Sequence, residues 1–177
     1  MARSTASGPG RPDHWWWNGD PMTDAKAVCI DIDGVLADVE HRVHLIDRGY
    51  WDEFFWRCGD DELIAPTAVM LALLDVSLCV ALVTSRPQWV QQETIDWLRR
   101  HHVRWDLLIM RPHHEYGPAS VFKAGEVERL RAHGLEPLWA IDDDIRNVRA
   151  FERAGVATTH LKHDAGRDLE QHWSSRR

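Results

Sequence analysis

Residues 28–37 read Val-Cys-Ile-Asp-Ile-Asp-Gly-Val-Leu-Ala, and no other stretch constrains this chain as much. A short apolar run ends in two aspartates, Asp31 and Asp33, one residue apart and followed at once by Gly34. Such a run reads as a buried strand whose last turn presents two carboxylates to one place. Packing alone does not ask for that. Two anions held close together repel each other and lose hydration, so they persist only with a cation or a shared proton. A hard cation with oxygen ligands, such as Mg²⁺, is the natural partner. The plain alternative is a strand end followed by an Asp-Gly turn.

Three further apolar runs have the same build. Leu78–Val83 leads into Thr84-Ser85-Arg86-Pro87, Leu107–Met110 into Arg111-Pro112, and Leu138–Ile141 into Asp142-Asp143-Asp144. Continuous apolar runs of this length read as strands buried on both faces of a parallel sheet. Helical patterns lie between them. Gln88–His101 carries Val90, Ile95, Trp97 and Leu98, and Ala119–His133 carries Val121, Phe122, Val127 and Leu130 before Gly134. Ile145–Ala154 carries Ile145, Val148 and Phe151 before Gly155, and a glycine at that place is a helix stop signal. Strand alternating with helix predicts right-handed βαβ units and an α/β, doubly wound parallel sheet flanked by helices. Active sites in such sheets lie beyond the carboxyl ends of the strands. Asp31, Asp33, Thr84 and residues 142–144 all fall there, so far-separated segments converge on one crevice.

On these residues the chain resembles the haloacid dehalogenase (HAD) superfamily of aspartate-nucleophile phosphatases, over roughly residues 26–160. Asp31-x-Asp33 matches the first motif of that family and Thr84 the strand-end Thr/Ser of the second. Lys123 matches the lysine of the third, and Asp142-Asp143 the paired acids of the fourth. Within the superfamily, Val80–Arg86 and Trp139–Val156 are most similar to the phosphatase domain of bacteriophage polynucleotide kinase/phosphatases. There a Thr/Ser-x-Arg follows the second strand, and an Ile-Asp-Asp precedes a helix ending near Gly-Val. The resemblance implies a Rossmann-like, HAD-like fold and direct metal ligation by the second acid, Asp143. Asp144 departs from it, since a basic residue is usual at that place.

The chemistry can also be read from the residues. A carboxylate that attacks a phosphoryl group forms an aspartyl-phosphate and splits one hard displacement into two easier ones. Asp31, nearest the buried strand, is the candidate nucleophile. Asp33, past it on the turn, is placed to protonate the departing alkoxide and then to take a proton from water, help typically worth ~10²–10⁴-fold. Thr84 can donate to a phosphoryl oxygen, and Lys123 can set an ammonium beside it. Asp31, Asp142, Asp143 and the main-chain carbonyl of Asp33 would make an oxygen cage for Mg²⁺. Each residue has a plainer role open to it. Thr84 can be a strand end before a proline turn, Lys123 a solvated helix lysine, and Arg86 a neighbour of Pro87 or a ligand for substrate phosphate. One of Asp142–Asp144, most naturally Asp144, can cap the following helix.

Between Asp38 and Ala65 the first strand does not lead straight into a helix. Residues 38–65 have the size of a small flap or minimal cap, which in HAD-like enzymes covers the site and selects substrate. Its aromatic cluster Trp51-Asp-Glu-Phe-Phe-Trp56 can stack on a base, worth ~1–3 kcal/mol per base, or pack the flap onto the core, the favoured role for Phe54, Phe55 and Trp56. Arg42 is a candidate substrate clamp. His41 and His44 lack a third ligand for a metal site.

With 177 residues, 44% of them hydrophobic, the chain can build one sizeable core but no second full domain. The expected organisation is a disordered arm over 1–25, a HAD-like phosphatase domain over 26–161 and a charged tail over 162–177. The arm holds Gly8–Pro12, Trp15-Trp16-Trp17 and Asn18–Pro21, lacks an apolar signal-peptide region, and leaves Met22 as a natural start. Cys29, Cys58 and Cys79 read as buried thiols of a reducing, cytoplasmic protein. The formal charge of −7 argues against a grip on long duplex DNA, and no run approaches transmembrane length. No Gly-x-x-x-x-Gly-Lys-Ser/Thr loop is present, so the kinase half of the resemblance has no counterpart.

The expected function is a Mg²⁺-dependent phosphomonoesterase working through Asp31, on a nucleotide or nucleic-acid 3′-phosphate end by resemblance. The alternatives are a nucleotidase or other small-metabolite phosphatase, and a catalytically silent interaction module.

Overall fold

Apolar side chains facing both ways along each run are what make these segments interior strands. The computed structural model describes residues 12–162. Its strands are β1 (Trp15–Trp17), β2 (Ala25–Ile30), β3 (Ala37–Asp38), β4 (Glu62–Leu63), β5 (Cys79–Pro87), β6 (Leu107–Arg111), β7 (Leu135–Asp142) and β8 (Ala157–His160). Six of them form one sheet in the order β1-β6-β5-β2-β7-β8, with every pairing parallel except that of β1. Val28 and Ile30 of β2 join Val80 and Leu82 of β5 in one core, while Ala27, Cys29, Cys79, Ala81 and Val83 join the core on the opposite side. The alternation along each strand supplies both layers.

The helices are α1 (Glu40–Asp47), α2 (Trp51–Trp56), α3 (Ala65–Leu73), α4 (Gln91–Arg100), α5 (Ala119–Ala132) and α6 (Ile145–Arg153). Trp97 and Leu98 of α4 cover the first face, and Phe122, Val127 and Leu130 of α5 with Phe151 of α6 cover the second. Val121, which the sequence pattern placed on the apolar stripe of α5, is instead exposed. The stripe is set by Phe122, Lys123, Glu126, Val127 and Leu130, so two buried charges share it with the apolar residues.

The strand order places β2 between β5 and β7, so Asp31 emerges between the ends of both neighbours. Its amide donates to the Ile141 carbonyl at 3.0 Å, carrying the β2–β7 ladder one residue further. Between β5 and β6 the register moves from Val83↔Ile109 to Pro87↔Arg111, so Thr84–Arg86 bulge out of the ladder. Bulges of this kind re-aim side chains beside active sites.

The segment after β2 is a small helical insertion whose base is tied by antiparallel pairing of Ala37 with Leu63 and Asp38 with Glu62. Between those strands lie α1, α2 and a 3-10 turn, Arg57–Asp60. Leu45, Ile46, Phe54 and Phe55 bury themselves in the first core, whereas Trp56 is 57% exposed. The packing expected of the aromatic cluster therefore holds for the two phenylalanines and not for Trp56. Cys29, Cys58 and Cys79 are all buried free thiols, and burial pushes Cys29 and Cys79 up to about 12.

One expectation needs correction. Residues 1–11 and 163–177, which hold part of the expected arm and nearly all of the expected tail, lie outside the described residues, but Trp15–Trp17 is no disordered arm. Trp15 is 2% exposed and pairs with Ile109 on β6. Its indole Nε1 donates to Glu126 Oε2 at 2.7 Å, and His14 Nε2 lies 2.9 Å from Glu126 Oε1. A buried carboxylate on α5 thus fixes the extra edge strand, with Arg129 also donating to it. Among the described residues no helix is long and apolar enough to cross a membrane.

Burial raises the Glu126 pKa, but the bonds from His14 and Trp15 and the charge of Arg129 prevail and hold it below its ordinary 4.5. A carboxyl depressed by folding adds stability that is fully present above that ordinary value and is lost as pH falls through the depressed one. Replacing Glu126 with alanine takes away the acceptor of a buried indole N–H, at a cost of about 1–3 kcal/mol. Hydrogen exchange of the Trp15–Trp17 amides should then accelerate while β2 stays protected. Acidification through the depressed Glu126 pKa, below its ordinary 4.5, should loosen the same strand in the unmutated protein.

Candidate active site

Two charged clusters meet at the carboxyl ends of β2, β5 and β7. The first is built on Lys123, fully buried one turn into α5. Its Nζ lies 2.6 Å from Asp31 Oδ2 and donates to Asp142 Oδ2 at 2.6 Å. Asp142 is held further by the Asn147 side-chain amide at 2.9 Å and by the Asp144 backbone amide at 3.0 Å, both on Oδ1. Asp31 Oδ1 accepts from the Ile32 amide at 2.8 Å. Burial is the largest influence on Asp31 and pushes it up to about 7, with Asp142 adding to the rise and Lys123 opposing it. Burial works against the Lys123 charge, but Asp142 and Asp31 outweigh it and hold the ammonium above its ordinary value.

Asp31, Asp142 and Asp143 each offer a carboxylate oxygen, all within 4.8 Å of one another. Three hard oxygen donors with carboxylates outnumbering the single ammonium form a set that suits a hard divalent cation. Gly34 fits the same picture. Its φ is +80°, and a Cβ there would stand 2.1 Å from Asp143 Oδ2, so any side chain would displace the acid. Asp144 does what the sequence suggested: it caps α6 by accepting from the Arg146 amide at 2.8 Å, and it also pairs with the Arg146 guanidinium.

The second cluster holds Asp33. Arg42 Nη2 donates to Asp33 Oδ1 at 2.6 Å, and Arg86 donates to the same oxygen through Nε at 2.9 Å and Nη2 at 2.6 Å. Behind both arginines lies Asp61, which takes Arg42 Nε at 2.6 Å on Oδ1, and Arg42 Nη2 at 2.6 Å and Arg86 Nη2 at 2.7 Å on Oδ2. Arg42 and Arg86 are wholly buried. Arg42 also lies 4.0 Å over the Phe54 ring and donates to the Phe54 carbonyl at 3.1 Å. Burial by itself raises Asp33, but the Arg42 and Arg86 charges overcome it and hold the carboxyl well below the usual range.

The residues singled out in the sequence therefore do meet, though not all in one cluster. Asp31, Asp33, Thr84 and Asp143 line one cavity together with Phe55, Ser85, Ala119, Asp144, Arg146 and Asn147. Lys123 and Asp142 stand behind it. The Asp33 side chain belongs to the arginine cluster and not to the acidic trio, so any metal contact from that residue falls to its main chain. Arg42 and Arg86 face carboxylates, which makes them organisers of Asp33. Thr84 is fully buried and its Oγ1 accepts from the Arg86 amide at 3.2 Å. His41 bonds to Asp61 at 2.9 Å and His44 is exposed, so the two do not share a ligand. Sequence reasoning missed Asp61 and Asn147. The adjacent acids Asp60-Asp61 at the end of the insertion were the available signal for the first; no pattern distinguished the second.

A family model described as "Polynucleotide kinase PNKP phosphatase domain" matches residues 25–165. No curated protein matches the chain. Among solved structures, a chain of the Pnkp1/Rnl/Hen1 RNA repair complex is similar with a TM-score of 0.63 at 18% identity, over 86% of this chain and 47% of that one. A chain from another structure of the Pnkp1/Rnl/Hen1 complex gives 0.64 at 22% identity, over 83% and 50%. This chain thus spans about half the length of those chains. A haloacid dehalogenase-like family hydrolase from Streptococcus pneumoniae gives 0.57 at 16% identity, over 84% and 90%. With the family model spanning every strand of the sheet but β1, the insertion and both charged clusters, the chain belongs to the polynucleotide kinase PNKP phosphatase domain family and is a HAD-type phosphatase.

Proposed function

We propose that this phosphatase hydrolyses a phosphomonoester at a nucleic-acid 3′ end, with Mg²⁺ bound and through an aspartyl-phosphate on Asp31. What supports the reading most is the surrounding of Asp31: a carboxylate at a strand end, lining a cavity, with a buried ammonium 2.6 Å away and two further acids close by. Asp31, Asp142, Asp143 and the Asp33 carbonyl would hold the cation, which supplies charge neutralisation at the phosphoryl oxygens. The 3′-end substrate rests on the family description and on the Pnkp1 likeness to an RNA repair component.

The chain's own groups then divide the work. Asp31, oriented by the Ile32 amide, attacks phosphorus, and the P–O bond to the leaving alkoxide breaks. Lys123 keeps Asp31 and Asp142 from repelling each other and faces the charge that develops on the phosphoryl group. Asp33 has its Oδ1 engaged by three N–H groups, which leaves Oδ2 as the oxygen that exchanges protons. With substrate bound it takes up a proton from solvent, passes it to the leaving alkoxide, and as the restored carboxylate removes one from the water that cleaves the acyl phosphate. Two arginines on one oxygen hold Asp33 anionic at rest. That favours the second role, and proton donation is favoured only once the phosphoryl group has brought negative charge beside it. Thr84 fixes the bulge that brings Arg86 to Asp33.

Phosphate release should be metal-dependent and should favour a 3′-phosphorylated oligonucleotide over nucleoside 3′- and 5′-monophosphates and an aryl phosphate. Preference for a mononucleotide would assign a nucleotidase. Silence on every substrate from folded, metal-loaded protein would restore the interaction module. Asp31→Asn should lower release by more than about 10³-fold while leaving the fold intact.

The arginine cluster makes a separate prediction. Asp61→Ala strips both guanidiniums of a buried counter-ion, and loss of one member of a buried ion network costs about 3–5 kcal/mol. The melting temperature should fall steeply, and Asp61→Asn should recover part of it. A melt unchanged in Asp61→Ala would show that Asp33 alone holds the arginines.

A further inference from the structure

β8 is an outer edge of the sheet, and core packing demands little of it: none of its four residues is buried. Its last residue nevertheless reaches the candidate active site. His160 lies opposite Asp142 in the β7–β8 register, and the Leu161 amide after it donates to the Asp142 carbonyl at 3.0 Å. There the ladder stops. The next carbonyl after β7 belongs to Asp143, one of the three clustered acids, and a side chain takes it: His160 Nε2 lies 2.9 Å away. A carbonyl oxygen only accepts, so Nε2 carries the proton and donates.

Asp143 stands where such an anchor matters. It is 4% exposed and falls between a strand that has ended at Asp142 and a helix that begins at Ile145. The first amides of α6 turn to Asp144: Arg146 donates to its side chain, and Asn147 and Val148 to its carbonyl. On the other flank the Asp143 carboxylate abuts the Gly34 turn, where a Cβ would stand 2.1 Å from Oδ2. The carboxylate therefore has little room to shift. Its carbonyl and its Cβ share one Cα, so a bond that fixes the peptide plane limits how far the side chain can swing. Asp31 and Asp142 share Lys123; His160 gives Asp143 an anchor of a different kind, on its main chain.

We propose that His160 is a positioning residue for the cation site: its bond to the Asp143 carbonyl fixes the peptide from which that carboxylate projects into the acidic trio. The role rests on the reading of the trio as a Mg²⁺ site and adds to it a residue 17 positions along the chain, contributed by the edge of the sheet. Groups that orient a metal ligand from behind are worth about 10–100-fold in metal affinity or activity. The alternative is a plain staple that holds β8 on β7, as the Trp139 indole does by donating to Thr159 Oγ1 at 3.0 Å.

Titration calorimetry with Mg²⁺ on the folded full chain separates the two. His160→Ala should weaken Mg²⁺ binding about 10–100-fold, and His160→Gln, whose amide can donate to the same carbonyl, should restore most of the affinity. His160→Leu fills the space without a donor and should bind as weakly as the alanine protein; it is the variant to use if that protein does not fold. Thr159→Val removes the neighbouring indole bond and supplies the control: it should lower the melting temperature of the metal-free protein and leave the Mg²⁺ affinity unchanged. A staple predicts that His160→Ala does no more than Thr159→Val, with Mg²⁺ bound as tightly as by the unmutated protein, and that result overturns the proposal. A glutamine protein that binds as weakly as the alanine one overturns it too, since the donor would then not be what counts. An unmutated protein that binds no Mg²⁺ overturns the cation site itself and the role of His160 with it, so the two failures are distinct. The affinity is read without substrate, and no outcome depends on turnover.

Discussion

The Asp31–Lys123–Asp142 bridge is the interaction on which the rest of this site depends. Three strand ends and one helix meet where the sheet stops supplying hydrogen-bond partners, and the groups that fill the gap are charged. Carboxylates in such a place repel each other, and burial, with Asp142 and Asp33 adding to it, lifts Asp31 to about 7 against the pull of Lys123. Lys123, 2.6 Å from both acids, makes the arrangement tolerable and so fixes α5 relative to β2 and β7. Glu126, one turn further along α5, draws β1 onto the far edge of the sheet. One helix therefore positions a site residue and extends the sheet with charges on a single face.

The insertion after β2 belongs to the same logic. Arg42 comes from the insertion, Asp61 from its end, Arg86 from the β5 bulge and Asp33 from the strand-end turn, and they share one buried network. The Trp97 indole of α4, in the same core, adds a 2.7 Å bond to the Asp61 carbonyl. With Phe54 and Phe55 in the core, the insertion is stitched to the domain by ions and aromatic rings together. Its charges organise Asp33 more than they reach for substrate, and its exposed Trp56 lies against Trp89.

Much of this was legible in the chain. The periodicity located β2, β5, β6, β7, α4, α5 and α6 because each buries a continuous or amphipathic set of residues, which is what periodicity reports. The strand-end acids were legible because nothing in packing explains two aspartates after an apolar run. What escaped was non-local. Trp15–Trp17 looked like part of an arm, since a three-residue strand carries no period and its anchor, Glu126, lies 111 residues away. Asp61 was invisible for the same reason: an acid in a predicted flap gains meaning only when two arginines from elsewhere fold against it. Arg42 and Arg86 were seen as cations near a site, and the sequence could not say that carboxylates already held them.

Charge counting, in the end, distinguishes an enzyme from a retained scaffold. Buried ion networks are weak sources of stability, and well-packed apolar side chains of equal volume often serve folding as well or better. A chain kept only for its surface would be free to replace Lys123 with methionine and its two acidic partners with apolar residues. Instead the two clusters differ in a way that folding does not require. In one, two arginines match two aspartates inside the protein. In the other, three carboxylates gather around a single ammonium beside a cavity. A fold built for stability would have balanced those acids from within. Their excess over the one ammonium makes sense when the missing charge arrives from outside, as a cation for the carboxylates.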